Sequence, residues 1–243
     1  MLLAIDIGNS QINLALFREE NLVKARFFPK DDWKKFPLKK FVGKKKVNEI
    51  FLASVVPSVT KKIALFCQKN LSVKPRVIIA EDCGIPIRIK NPKEVGVDRV
   101  LNALAAFSIY RKAAIIVDTG TATTIDLVSG KGAYLGGIIL PGLGISVEAL
   151  AGKTALLPEV KLKTPKSLIG KDTISAIQSG IIYGSAESIS GLIKRIKKEY
   201  KKNFLVVGTG GWIKLLAPLV KTIDKIEPHL TLKGLAILGV RES

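Results

Sequence analysis

A single histidine, two cysteines and one methionine are all the imidazole and sulfur groups in this 243-residue sequence. A structural zinc centre needs about four such ligands, so that class is set aside. Cys67 and Cys83 stand apart with no repeating interval, which excludes a disulfide framework and fits a reducing compartment. His229, in "IEPHLTLKGLA", has no acid or cysteine arranged around it, so a surface or cap role suits it better than catalysis. G-x-S-x-G is missing, which removes the serine-hydrolase reading. Long apolar runs are missing too. The least charged stretch, 132–147, is broken by glycines and Pro141 and makes a poor bilayer helix. The start "MLLAID" lacks a basic region and meets an aspartate at its sixth residue. No signal peptide or membrane partner is expected, and the expected location is cytoplasmic.

Acids are scarce as well: 20 Asp and Glu against 39 Lys and Arg, for a net charge of +19. Such a balance raises the question of nucleic acid. The lysines are spread over "DDWKKFPLKKFVGKKK", "IKRIKKEYKKN" and elsewhere, and aromatics are not interleaved as a base-stacking platform requires. A solvated, heat-adapted surface that also steers anionic substrates is preferred to a nucleic-acid partner.

What is present is an α/β alternation with ample length for a core. "LLAIDIG", "INLALF" and "VKARFF" read as strands, as do "EIFLASVV" and "RVIIA". "SVTKKIALFCQKN" and "DRVLNALAAFSIYRK" read as helices. The second half repeats the plan: "AAIIVDTG", "TTIDLVS" and "GAYLGGIIL" as strands, followed by helices over 144–155, 172–200 and 212–221. "NFLVVGTGG" is a strand between the last two. The boundary is expected near Tyr110 to Ala113, giving halves 1–112 and 113–243. Each half opens with strand, Asp-x-Gly turn, strand. A duplicated α/β unit explains this better than coincidence, and its two glycine corners are expected to face a shared cleft.

In "DIGNS", Gly8, Asn9 and Ser10 offer backbone donors after a buried strand; in "DTGTATT", Gly120, Thr121 and Thr123 do so. Without a Cβ, glycine lets phosphate oxygens approach the amides. Asp6 and Asp118 are then hard-oxygen ligands for magnesium, a monovalent ion, or their waters. Turn chemistry alone also favours Asp and Gly. A third corner, "NFLVVGTGGW", would let a nucleoside lie at a helix start through Gly208, Gly210 and Gly211. It does not match G-x-G-x-x-G, and "AGKT" at 151–154 lacks the first glycine of a P-loop. Asp98 and Arg99 precede the helix of "DRVLNALAAF". By sequence chemistry alone Asp98 is a first-turn acid and Arg99 a solvated charge. Phosphoryl transfer nevertheless needs a carboxylate near the accepting hydroxyl and a cation for an anionic substrate.

Seven segments in order resemble the type III pantothenate kinases, of the actin-like superfamily of acetate and sugar kinases. They are "DIGNS" (6–10), "SVVPSVT" (54–60), "NPKEVGVDR" (91–99), "VDTGTATTID" (117–126), "GGIILPGL" (136–143), "IGKDTISAIQSGIIYG" (169–184) and "TGG" (209–211). The resemblance implies two similar actin-like, ribonuclease H-like α/β halves with a nucleotide cleft between them. It implies ATP-dependent phosphorylation of pantothenate to 4'-phosphopantothenate, the first step of coenzyme A biosynthesis.

Carried over by position, Asp6, Ile7, Gly8, Asn9, Ser10, Gln11, Ile12 and Asn13 are implied as the first phosphate segment, with Asp6 near Mg2+. Asp98 is the implied general base, and Gly96, Val97, Asp98 and Arg99 line the pantothenate pocket. Asp118 is implied to hold K+ or NH4+, Thr121 to contact ATP, and Thr173 to contact pantothenate. A homodimer with substrate sites near its interface is also implied. Two positions depart from the family pattern. Ile89 stands where many relatives have a tyrosine, and Asp172 where an asparagine is common. Two rival readings stand beside the kinase: a non-catalytic transcriptional accessory protein on the same scaffold, and a kinase of another small alcohol or acid.

Overall fold

The computed structural model describes residues 1–242. Its opening run forms β1 (Leu2–Ile7), in which Leu3, Ala4, Ile5 and Ile7 are fully buried. An unbroken apolar run of this kind suits a strand covered on both faces. The hairpin partner β2 (Gln11–Arg18) and β3 (Asn21–Pro29) follow, then short α1 (Leu38–Val42) and β4 (Glu49–Ser54). Next come α2 (Pro57–Leu71), β5 (Arg76–Ile78) and α3 (Val97–Tyr110). The sheet order is β3-β2-β1-β4-β5, with β1 antiparallel to β2 and parallel to β4.

The second set contains β6 (Ala114–Thr119), β7 (Ala122–Val128) and β8 (Tyr134–Pro141). Helices α4 (Leu143–Lys153) and α5 (Thr173–Glu199) follow, then β9 (Leu205–Thr209), α6 (Ile213–Leu216) and β10 (Lys225–Ile226). Its sheet runs β10-β9-β6-β7-β8, and β6 is antiparallel to β7 and parallel to β9. Read from the hairpin side, both sheets have one order and one pairing pattern. The repeated strand, Asp-x-Gly turn, strand pattern of the sequence falls at matching places in the two sheets. This is the two-lobe α/β fold expected.

The last helix, α7 (Leu230–Glu242), belongs with the first set. One compact unit comprises Met1–Arg111, Gly132–Leu135 and the segment from His229 onward; the other comprises Lys112–Lys131 and Gly136–Pro228. Helix α7 packs on α3 at close range. A Cβ on Gly234 would lie 2.5 Å from the Leu101 carbonyl oxygen.

Two elements differ from the sequence reading. The helix expected over 212–221 is only Ile213–Leu216, because Pro218 has no N–H to give and its ring crowds the preceding turn. No helix was expected at α7, whose Gly234 and Gly239 dilute the apolar periodicity while permitting close packing. Among the described residues no helix is long and apolar enough to cross a membrane.

Candidate functional site

The first corner closes the β1–β2 hairpin. The Gly8 N–H donates to the Gln11 carbonyl at 2.9 Å, so that amide closes the turn. Asn9, Ser10 and Gln11 form its exposed tip. Ile7 and Ile12 are buried in the core and can offer a ligand only their backbone. Asp6 lies directly across from Asn13 in the ladder. The Asn13 amide donates to Asp6 Oδ2 at 3.0 Å, which holds the carboxylate in one rotamer at the mouth of the turn.

Helix α3 begins at Gly96, which caps it without a side-chain bond. Val97, Val100, Leu101 and Leu104 are buried at helical spacing and anchor this helix in its unit. Asp98 and Arg99 are thereby lifted to the partly exposed first turn. The Arg99 N–H donates to Asp98 Oδ1 at 2.9 Å. That same oxygen lies against the Gly96 Cα so closely that a Cβ there would collide with it. The Arg99 guanidinium sits 5.9 Å from the Tyr134 ring centre, within cation–π range. A carboxylate is thus fixed at a helix start, where the dipole favours negative charge, with a guanidinium on the next residue.

The second corner joins β6 to β7 and repeats the first. The Gly120 N–H donates to the Ala122 carbonyl at 3.0 Å, and Asp118 lies opposite Thr124. Two further glycines brace it. Gly210, at φ +93°, brings the β9–α6 turn so near that a Cβ would stand 2.5 Å from Asp118 Oδ1. Gly142, ahead of α4, backs against the Thr121 carbonyl, and any side chain there would collide with it. The turn is tied in further by Thr119, whose hydroxyl donates to the Thr209 carbonyl at 3.0 Å, and by the Trp212 N–H donating to the Thr119 carbonyl at 3.0 Å. Gly208 packs on Ile213. The third corner therefore supports Asp118, with Gly210 as the contact residue.

Thr173 opens α5 and is exposed. Asp172 before it caps the helix: its carboxylate accepts the Ser175 N–H at 2.9 Å and the Ser175 hydroxyl at 2.8 Å. Those bonds, the backbone one foremost, hold the Asp172 carboxyl below its usual pKa. Thr173 lines a groove of about 770 Å³ between α4, α5 and the end of β8, with Leu150, Ile177, Gly180, Ile181 and Gly184 among its walls. No charged side chain lines it. "AGKT" falls at the end of α4, at the wrong end of a helix for phosphate.

The family model for the type III pantothenate kinases matches residues 2–195. The chain belongs to that family. A type III pantothenate kinase of Syntrophus aciditrophicus is 40% identical over 254 residues, with all of both chains covered. One of Moorella thermoacetica is 42% identical over 255 residues, again covering both chains fully. Among solved structures, a protein of Campylobacter jejuni described as a Baf family transcriptional activator superposes with a TM-score of 0.62 at 23% identity, covering 99% of this chain and 98% of that one. The activator of 2-hydroxyisocaproyl-CoA dehydratase from Clostridium difficile, with bound ADPNP, gives 0.57 at 14% identity, covering 99% and 94%. At those identities the likeness is one of fold alone, a two-lobe α/β fold. Membership in a kinase family disfavours the non-catalytic accessory reading.

The sequence alone passes over Gly142 and Asn13's bond to Asp6, and it reads Gly210 as part of a nucleoside corner and not as the residue that backs Asp118. Asn13 was legible as part of a phosphate segment, but not as the residue that orients Asp6. The departure at Asp172 is explained, since an aspartate caps α5 as an asparagine would. Nothing in the structure explains Ile89.

Proposed function

We propose that this chain transfers the terminal phosphoryl group of ATP to the primary hydroxyl of pantothenate, giving 4'-phosphopantothenate in the cytoplasm. The observation that supports the residue assignment best is the carboxylate of Asp98, fixed by the Arg99 amide and the Gly96 backbone at the start of α3. Asp98 takes the hydroxyl proton as the acceptor oxygen bonds to phosphorus, and the bond to the bridging oxygen of ADP breaks. Arg99 pairs with the pantothenate carboxylate, while Gly96 and Val97 line the pocket with their backbone. Residues Asp6 to Asn13 take phosphate at the first corner, and Thr121 takes it at the second.

The residues fit the cations such a kinase uses. Asp118, with the Gly210 backbone packed close beside its Oδ1, offers a single hard carboxylate donor, which suits K+ or NH4+. Asp6, held by Asn13, suits Mg2+ through water. When bound, these ions offset the negative charge of the phosphates.

A second copy of this chain is proposed to cover the groove at Thr173. Around it Ile139, Ile174 and Ile169 are exposed at 64%, 50% and 67%, on a chain whose +19 charge opposes self-association elsewhere. Halves 1–112 and 113–243 are proposed as the two copies of the ancestral unit.

Asp98→Asn keeps the shape and removes the base. Turnover is expected to fall by about 10²- to 10⁴-fold, with ATP binding by calorimetry unchanged. Full activity in that variant would refute the assignment.

A further inference from the structure

The two corners differ at one register position. Across from Asp6 stands Asn13, whose amide donates to it. Across from Asp118 stands Thr124, and its hydroxyl donates to Asp126 Oδ2 at 2.8 Å. Directly opposed residues share a sheet face with their Cβ atoms about 5 Å apart. Asp118, Thr124 and Asp126 are therefore on one face, and Thr123, Ile125 and Leu127 on the other.

Asp126 is the odd residue of β7. It is 0% exposed, between buried Ile125 and Leu127. A carboxylate buried in a sheet is unfavourable compared with an apolar side chain. Solvation of Thr124 does not call for it, because Thr124 is itself partly exposed. What the carboxylate does is accept. A hydroxyl has one proton and two lone pairs, so commitment of the proton to Asp126 leaves the Thr124 oxygen an acceptor beside Asp118. At the first corner the same position holds a donor. A donor beside a carboxylate satisfies it; an oxygen acceptor beside a carboxylate suits a small cation.

We infer that Thr124 contributes a second oxygen, directly or through water, to the cation held by Asp118, and that Asp126 is the positioning residue that turns its hydroxyl. This rests on the assignment of Asp118 to a monovalent cation made above. It also gives a physical reason why the two aspartates of a duplicated unit serve different ions.

The test compares Thr124→Val, which removes the hydroxyl at constant shape, with Thr124→Ser, which keeps it, and with Asp126→Asn. Two readouts are taken: the potassium dependence of turnover, and the potassium-dependent rise in melting temperature of the ATP-bound protein. Thr124→Val is expected to raise the half-activating potassium concentration about tenfold, the scale of one lost hydrogen-bonding group, and to lose the thermal response. Asp126→Asn, which keeps a neutral acceptor oxygen, is expected to shift both in the same direction by less. Thr124→Ser is expected to stay near wild type in both. Lower melting temperatures with wild-type potassium dependence would make the pair merely structural and overturn the inference. If Asp126→Asn does not fold, the two Thr124 variants decide alone. A wild type that turns over pantothenate but ignores potassium in both readouts overturns the inference and the Asp118 assignment together. A wild type that responds thermally to potassium but has no kinase activity overturns the functional reading instead.

Discussion

Asp172 shows how one side chain fixes a helix end and the residue that follows it. Its carboxylate holds the first turn of α5 and so sets the position of Thr173. Its pKa is lowered in the fold, chiefly by the Ser175 N–H. The capping stabilisation is therefore complete above the ordinary carboxylate pKa and fades as pH falls through the lower folded value. Asp172→Ala is expected to lower the melting temperature at pH 7 and to lose most of that difference near pH 2. The cysteines behave in the opposite sense. Burial pushes the thiols of Cys67 and Cys83 up to about 12, with nearby Asp82 and Glu81 adding to the effect at Cys83. Folding then favours the neutral thiol, so stability is full below pH 9.0, the unperturbed value, and declines as pH rises toward 12. Neither thiol should react with a disulfide reagent at pH 8 until the protein is unfolded. Asp6 and Asp118 stand out in the sequence as acids at the ends of apolar strands, whereas Asp98 reads by its own chemistry as a first-turn acid and is singled out by the resemblance. Gly142 does not stand out, and Gly210 reads only as part of a nucleoside corner, since their contacts with Thr121 and Asp118 lie far away in sequence.

At the scale of elements, the strands were legible wherever burial on both faces made an unbroken apolar run, as in β1, β4 and β6. The hairpins followed from their Asp-x-Gly corners. Helix α6 fell short because Pro218 overrides the apolar pattern beyond it. Helix α7 was hidden by its glycines, of which Gly234 lets it approach α3 and Gly239 packs on Leu2. The contact at Gly234 is backbone to side chain, with no flexible tip that could yield. Gly234→Ala should therefore destabilise the protein by about 1–3 kcal/mol despite the better helix propensity of alanine, as overpacking does. Urea unfolding monitored by circular dichroism measures the difference. Gly210→Ala carries a double penalty, from its φ of +93° and from collision with Asp118 Oδ1. It is expected both to lower the melting temperature and to weaken potassium activation, since the same collision displaces Asp118 and the Thr119 backbone.

At the scale of the molecule, the repeat was readable because both sheets keep one strand order and one corner chemistry. The passage of the chain between units was not, because α7 returns to the first unit from the end of the sequence. The +19 charge bears on assembly. If a second copy covers the uncharged groove on α4 and α5, general charge repulsion opposes the dimer while apolar burial holds it. Raising ionic strength from about 0.05 to about 0.5 M screens the repulsion and should tighten the dimer in sedimentation equilibrium. Gly184→Arg, which places charge in the groove, should give a monomer. A charge-driven dimer would instead weaken with salt.

The most direct measurement is formation of phosphorylated pantothenate, followed by mass spectrometry, from purified protein, ATP, magnesium, potassium and pantothenate. The account predicts one 4'-phosphopantothenate for each ADP released, and ADP release that depends on the acceptor. ADP release indifferent to pantothenate, or no phosphorylated product with either potassium or ammonium present, would contradict it.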